Sequence, residues 1–181
     1  MKNNSSEISA YAFTPNDEFL LDTNIWFSIY GPTRPGDRKA MVYSRALSQM
    51  LAVKCQIYVE VLILSEYVNR YARLKHNILK SRPGIDQDFK RFRKSPAFKP
   101  VASDIAGDVR QILKHCERIE SHLPEVDIAA LIDEFEKGDS DFNDQILAEL
   151  CKRRNLKLVT HDSDFKDCGV NIVTANRDLL V

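Results

Sequence analysis

The chain's 181 residues and 20.8 kDa suit one domain with a substantial core, and its 44% hydrophobic and 29% charged residues exclude a wholly disordered polypeptide. No apolar run approaches the ~18 residues that a membrane-spanning helix needs. The formal net charge of zero conceals an asymmetry: residues 70–99 carry ten Lys or Arg against two acids, residues 101–181 ten against seventeen. A basic middle suits a polyanion and an acidic end suits a metal or a basic partner, where either is more than a solvated face.

Residues 1–16 form a polar leader without the apolar stretch of a signal peptide, so a cytoplasmic location is expected. Phe19, Leu20 and Leu21 are apolar without alternation, as in a strand covered on both faces, and Asp22, Thr23 and Asn24 mark its exit. Ligands of open parallel sheets bind outside the carboxyl ends of the strands, where Asp22 stands; the competing reading makes it a helix N-cap. The breaker GPTRPG at 31–36 precedes a helical pattern carrying Met41, Leu47, Met50 and Leu51. Residues 56–59 read as a second strand. Residues 61–74 read as a helix with Leu64, Tyr67, Val68, Tyr71 and Ala72 on its buried stripe. Glu66 falls about 200° round that helix from Leu64, beside Asn69, Arg70 and Arg73. Its plain reading is a surface pair with Arg70.

Residues 75–100 hold Pro83, Gly84, Pro96 and Pro100 and interleave Phe89, Phe92 and Phe98 with bases, which reads as a basic insertion between core elements. Such a segment suits a single nucleic-acid strand, with phosphates on Lys90, Arg91, Arg93 and Lys94 and bases stacked on rings; alternatively the rings pin the loop to the body. Residues 103–119 and 126–135 are expected to be helical, the second ended by Gly138, and a poorly marked third strand is sought in 118–122. In GDSDFNDQILAELCKRR, residues 138–154, Asp141 reads as an N-cap and Asp144 as its third-position partner, with Phe142, Ile146, Leu150 and Cys151 on the buried stripe. Residues 157–160 form an apolar strand ending in Asp162 and Asp164, which share one side if the chain stays extended, and residues 171–174 form a last strand. Cys55, Cys116, Cys151 and Cys168 make no C-x-x-C pair and read as free core thiols. The alternation of strands and helices implies a parallel sheet with helices on both faces.

Two apolar strands, one near each end of the chain, thus terminate in acids, while two helices offer Glu66 and the Asp141/Asp144 pair. Clustered carboxylates resist joint ionisation unless a cation sits among them, and oxygen ligands without His or Cys select Mg²⁺ or Mn²⁺. The chemistry such a site suits is phosphodiester hydrolysis, the metal activating a water and countering phosphoryl charge.

In these motifs the sequence resembles the PIN-domain family, most closely the VapC-type toxin ribonucleases. LLDTNIW is similar to the family's opening strand and first acid, Asp22; LSEYVNRY puts Glu66 at the helix acid; DFNDQILAEL resembles the third motif, favouring Asp144 with Asp141 additional; LVTHDSDF resembles the fourth, giving Asp162 and then Asp164. The resemblance implies a three-layer α/β/α sandwich with a parallel five-stranded sheet of order 3-2-1-4-5, formed by one domain spanning residues 1–181. It implies a metal-dependent endoribonuclease acting on single-stranded RNA, with Asp22, Glu66, Asp144 and Asp162 catalytic and, with Asp141 and Asp164, metal-binding. Arg70, Arg73 and the 90–94 bases are the expected RNA contacts. An antitoxin and a homodimer are the implied partners, the latter through Trp26, Phe27 and Tyr30. A haloacid-dehalogenase phosphatase would need an acid where Asn24 stands, and a receiver domain a Lys where His161 stands; the remaining alternative is a catalytically inactive PIN fold serving as a binding or scaffold module.

Overall fold

A computed structural model describes residues 2–138 and 141–180. Six parallel strands, β1 (Asn4–Glu7), β2 (Glu18–Leu21), β3 (Gln56–Val59), β4 (Glu117–Arg118), β5 (Lys157–Val159) and β6 (Asn171–Thr174), pair in the order β1-β6-β5-β2-β3-β4. Without β1 this is the expected 3-2-1-4-5 arrangement. The sixth strand corrects the count: part of the polar leader runs along β6, from Asn4 opposite Asn171 to Glu7 opposite Thr174. It carried no apolar signal because it lies at an edge and leaves its side chains half-buried or exposed. The strand expected in 118–122 overlaps the two-residue β4 only at Arg118, and β4 is also an exposed edge.

The connections hold α1 (Thr23–Tyr30), α2 (Arg38–Ala52), α3 (Val61–Leu79), α4 (Phe89–Lys94), α5 (Phe98–His115), α6 (Ile128–Glu136) and α7 (Phe142–Arg154). Right-handed crossovers place the helices between β2, β3 and β4 on one face; the chain then reverses direction across the sheet, which puts α6 and α7 on the other. Packing agrees, since α1 touches α2 and α3, α3 touches α5, and α7 lies on β5. Phe19, Leu20 and Leu21 are fully buried between the two layers. The reversal occurs between β2 and β5, so their exits flank a crevice.

Of the 75–100 segment, α3 takes the residues up to Leu79 and α5 those from Phe98. Phe92 is fully buried and Phe89 is half-buried, both against the His76 ring, whose Nε2 lies 2.9 Å from the Asp86 carbonyl. These rings pin the segment to the body and leave Lys90, Arg91, Arg93 and Lys94 exposed. A second correction concerns Trp26, one of the three rings expected to face a partner. Trp26 is wholly interior and stacks on Tyr30, while Phe27 packs edge-on against Tyr67 and Tyr71. All four cysteines are free. Among the described residues no helix is long and apolar enough to cross a membrane.

Candidate active site

Asp22 leaves β2 with its amide bonded to the Val159 carbonyl at 3.0 Å, so the exits of β2 and β5 are held side by side. It occupies the N-cap position of α1, yet its carboxylate makes no capping hydrogen bond to the helix. Instead Oδ2 accepts from Thr160 Oγ1 at 2.7 Å and from Asn24 Nδ2. Thr160 Oγ1 in turn accepts from the Asp162 amide at 3.0 Å, and Asn24 Oδ1 accepts from the His161 amide at 3.1 Å. One threonine and one asparagine therefore fix the positions of both strand-end acids. Neither is among the site residues expected from sequence; their only signal there is a short polar group beside an acid at each strand exit.

Glu66 reaches the same place from α3, and Asp144 from the first turn of α7. Asp22, Glu66, Asp144 and Asp162 line one pocket of about 310 Å³ with Asp141, Asn24, Asn143 and Arg70. Asp141 has two roles: it caps α7, accepting from the Asn143 amide at 2.8 Å, and it borders the acids. Residues 139 and 140, inside the expected GDSD motif, lie outside the described residues. Asp164 does not join the cluster. After Asp162 the chain turns into a 3₁₀ helix, Ser163–Phe165, instead of staying extended, and Asp164 is exposed outside the pocket.

The electrostatics follow from this crowding. Asp22 is 4% exposed, and its carboxyl is pushed up to about 6, first by burial and then by the Glu66 and Asp162 charges, against the Thr160 hydrogen bond. Burial followed by Asp22, Asp141, Asp162 and Glu66 pushes Asp144 up to about 8. Among the described residues no ion pair joins Glu66 to Arg70, whose guanidinium lies instead over the Phe27 ring at 4.8 Å. The surface-pair reading of Glu66 is thus not realised. Among the described residues no three ligating side chains are close enough to form a ready-made metal cluster. The donor set nevertheless suits a hard dication, being entirely oxygen and short of compensating charge.

Away from the acids, Glu66 and Arg70 border a shallower groove with Phe27, Asn69, Arg73 and Asn77. Arg73 lies over the Phe89 ring at 4.8 Å and Arg93 over it at 5.9 Å, so this groove leads toward α4. Arg70 therefore borders both the acidic pocket and the groove, Arg73 borders the groove alone, and Lys90, Arg91, Arg93 and Lys94 lie exposed on α4 beyond it.

A family model described as "PIN domain" matches residues 19–171. No curated protein matches the chain. Among solved structures, a chain in the crystal structure of VapBC2 from Rickettsia felis, bound to a DNA fragment from their promoter, is similar at 18% identity. The match covers 87% of this chain and 98% of that one with a TM-score of 0.53, a likeness of fold.

Proposed function

This chain belongs to the PIN-domain family, and from that premise we propose that it is a Mg²⁺- or Mn²⁺-dependent endoribonuclease that cleaves single-stranded RNA. The observation that carries the reading is the convergence of Asp22, Glu66, Asp144 and Asp162, from four separate elements, on one pocket at the carboxyl end of the sheet. These four would hold the cation, with Asp141 at the rim. When bound, the cation supplies acidity to a water and positive charge to the phosphoryl oxygens. Thr160 and Asn24 hold Asp22 in place, and Arg70 and Arg73 receive the backbone of the strand as it leaves the acids. Lys90, Arg91, Arg93 and Lys94 add sequence-independent attraction further along.

An antitoxin partner is proposed on the resemblance of the four motifs to VapC-type toxins, and a cytoplasmic location goes with it. A homodimer would now need a surface other than Trp26; light scattering at micromolar concentration decides whether one forms. The nuclease reading is tested by incubating end-labelled single-stranded RNA with purified protein in EDTA, Mg²⁺ or Mn²⁺, alongside Asp22→Asn. Cleavage that needs the metal and disappears in the variant supports it. Cleavage in EDTA, or by Asp22→Asn at the parental rate with contaminating nuclease excluded, overturns it, and no cleavage despite metal binding returns the chain to a binding or scaffold role.

A further inference from the structure

A second pocket, of about 640 Å³, opens beside the acidic one at the same end of the sheet. Its walls come from parts of the chain that are far apart in sequence: the end of β1, the start of α2, His161 after β5, and residues 175–180 after β6. Arg38, Lys39 and Arg177 line it, and among the described residues none of them forms an ion pair. Arg38 and Lys39 also open α2, whose positive end is capped by Asp37, accepting from the Ala40 amide at 3.0 Å. The one acid in the wall, Glu7, is engaged locally, its Oε2 accepting from the Ala10 amide at 2.9 Å. The rest of the lining is largely apolar, through Val42, Ala175 and Leu180. The His161 ring is held edge-on to Tyr43, with Nδ1 2.8 Å from the tyrosine hydroxyl.

The backbone of one residue, His161, separates the two pockets. The His161 amide donates to Asn24 in the acidic pocket, and its carbonyl accepts from Asn176 Nδ2 in the basic one at 3.0 Å. Lys39 lies within electrostatic reach of Asp22 and Asp162. An RNA strand whose reacting phosphate sits over the acids must place the neighbouring nucleotide within a residue or two of them. That nucleotide needs cations without a metal for its phosphate and an apolar surface for its base. The volume lies within the range of small-ligand sites.

We infer that this pocket seats the nucleotide next to the scissile phosphodiester, its phosphate on Arg38, Lys39 and Arg177 and its base against Val42, Ala175, Leu180 and the His161 ring. The assignment rests on the nuclease reading for its position in the strand, but nucleotide binding itself needs neither metal nor cleavage. It also gives β1 a role, because Glu7 and the adjoining Ser9 close the side of the pocket that a five-stranded sheet would leave open.

The test is an NMR titration of the whole protein in EDTA with adenosine, cytidine, guanosine and uridine 5′-monophosphates. Saturable shifts are expected at the Ala175, Asn176 and Arg177 amides and the His161 ring protons. They should weaken by roughly a hundredfold in affinity in Arg38→Ala/Arg177→Ala, about tenfold for the charge-assisted hydrogen bond lost with each guanidinium. A dispersed amide spectrum shows that the variant is folded, and Arg38→Lys/Arg177→Lys should restore most of the binding. Absence of saturable shifts overturns the proposal, as do shifts centred on Arg70 and Arg73 that the double variant leaves unchanged. Loss of metal-dependent cleavage in the parent would instead remove the nuclease reading, and the two failures are told apart because the titration contains no metal.

Discussion

At the amino ends of β2 and β5, Asp17 and Lys157 form an ion pair at 2.8 Å, and Asp17 also accepts from the Thr14 amide, the Thr14 hydroxyl and the Tyr11 hydroxyl. At the carboxyl ends of the same two strands, Asp22 and Asp162 share a pocket with three further acids and no ion pair among the described residues. Burial alone would raise Asp17, but Lys157 and the Thr14 and Tyr11 hydrogen bonds hold it below its ordinary value. Asp22 and Asp144 are driven the opposite way. A carboxylate that the fold has fully compensated is structural. A group of carboxylates that the fold crowds together without compensation is poised for a cation, and perturbed values of this kind mark functional sites.

The largest effect expected from this contrast is on activity. Asp22→Asn should lower metal-dependent RNA cleavage by roughly 10²-fold or more, the usual loss when a charge-stabilising group at the reacting centre is removed. Asp17→Asn, at the other end of the same strand, should cleave within about twofold of the parent when both are assayed folded, a difference of a few tenths of a kcal/mol. Equal losses in the two variants would erase the distinction between the ends.

Next in size is the response to metal. Mg²⁺ or Mn²⁺ at one hundred times its dissociation constant should stabilise the parent by about 2.7 kcal/mol, read as a rise in melting temperature. Asp144→Asn should melt no lower than the parent in EDTA, since it relieves repulsion, yet gain less from metal. Asp141→Asn should keep most of the gain if capping is its main role, because Asn caps nearly as well. Identical metal shifts in the parent, Asp22→Asn and Asp144→Asn would show that the acids do not act as one site. Asp17→Asn should instead cost about 1–2 kcal/mol in urea unfolding, with or without metal, as a buried hydrogen-bonded partner is weakened.

The two ends should also differ in how pH acts on them in EDTA. Asp144 is held near 8, above its ordinary 3.8, so its contribution to stability is complete below about 4 and is lost as pH rises through 8; Asp22, near 6, behaves alike over a narrower window. Asp17 is depressed, so its contribution is present above 3.8 and is lost only as pH falls through its folded value. The parent should therefore lose stability relative to Asp144→Asn between pH 4 and 8, measured by urea midpoint. A constant difference between the two across that range would contradict the crowding. The smallest effect concerns α4: replacing Lys90, Arg91, Arg93 and Lys94 should flatten the log–log salt dependence of RNA binding by about 0.7 for each phosphate no longer neutralised. An unchanged slope would return that turn to a role in packing alone.

Much of the fold was legible in the sequence because its signals are local. Three consecutive apolar residues before Asp22 and a 3.6-residue stripe on α3 report on burial of short segments, and the breaker at Gly138 marks a helix end; the alternation of such elements implies a parallel sheet, while its order came from the family resemblance alone. The edges were not legible: β1 and β4 pair on one side only, so their residues need no apolar pattern. Asp22, Asp144 and Asp162 could be named because strand exits and helix starts are local features too, whereas Glu66, in the body of α3, was singled out by the family resemblance. Their gathering in one pocket, the exclusion of Asp164 by a 3₁₀ turn, and the fixing of Asp22 by Thr160, 138 residues away, were decided by tertiary structure. The same holds for the basic pocket, where Arg38 and Lys39 at the start of α2 meet Arg177, which follows β6 and lies far from them along the chain. Periodicity reports which side of an element is buried; which side chains then face one another depends on strand order and register, fixed by pairings between segments more than a hundred residues apart.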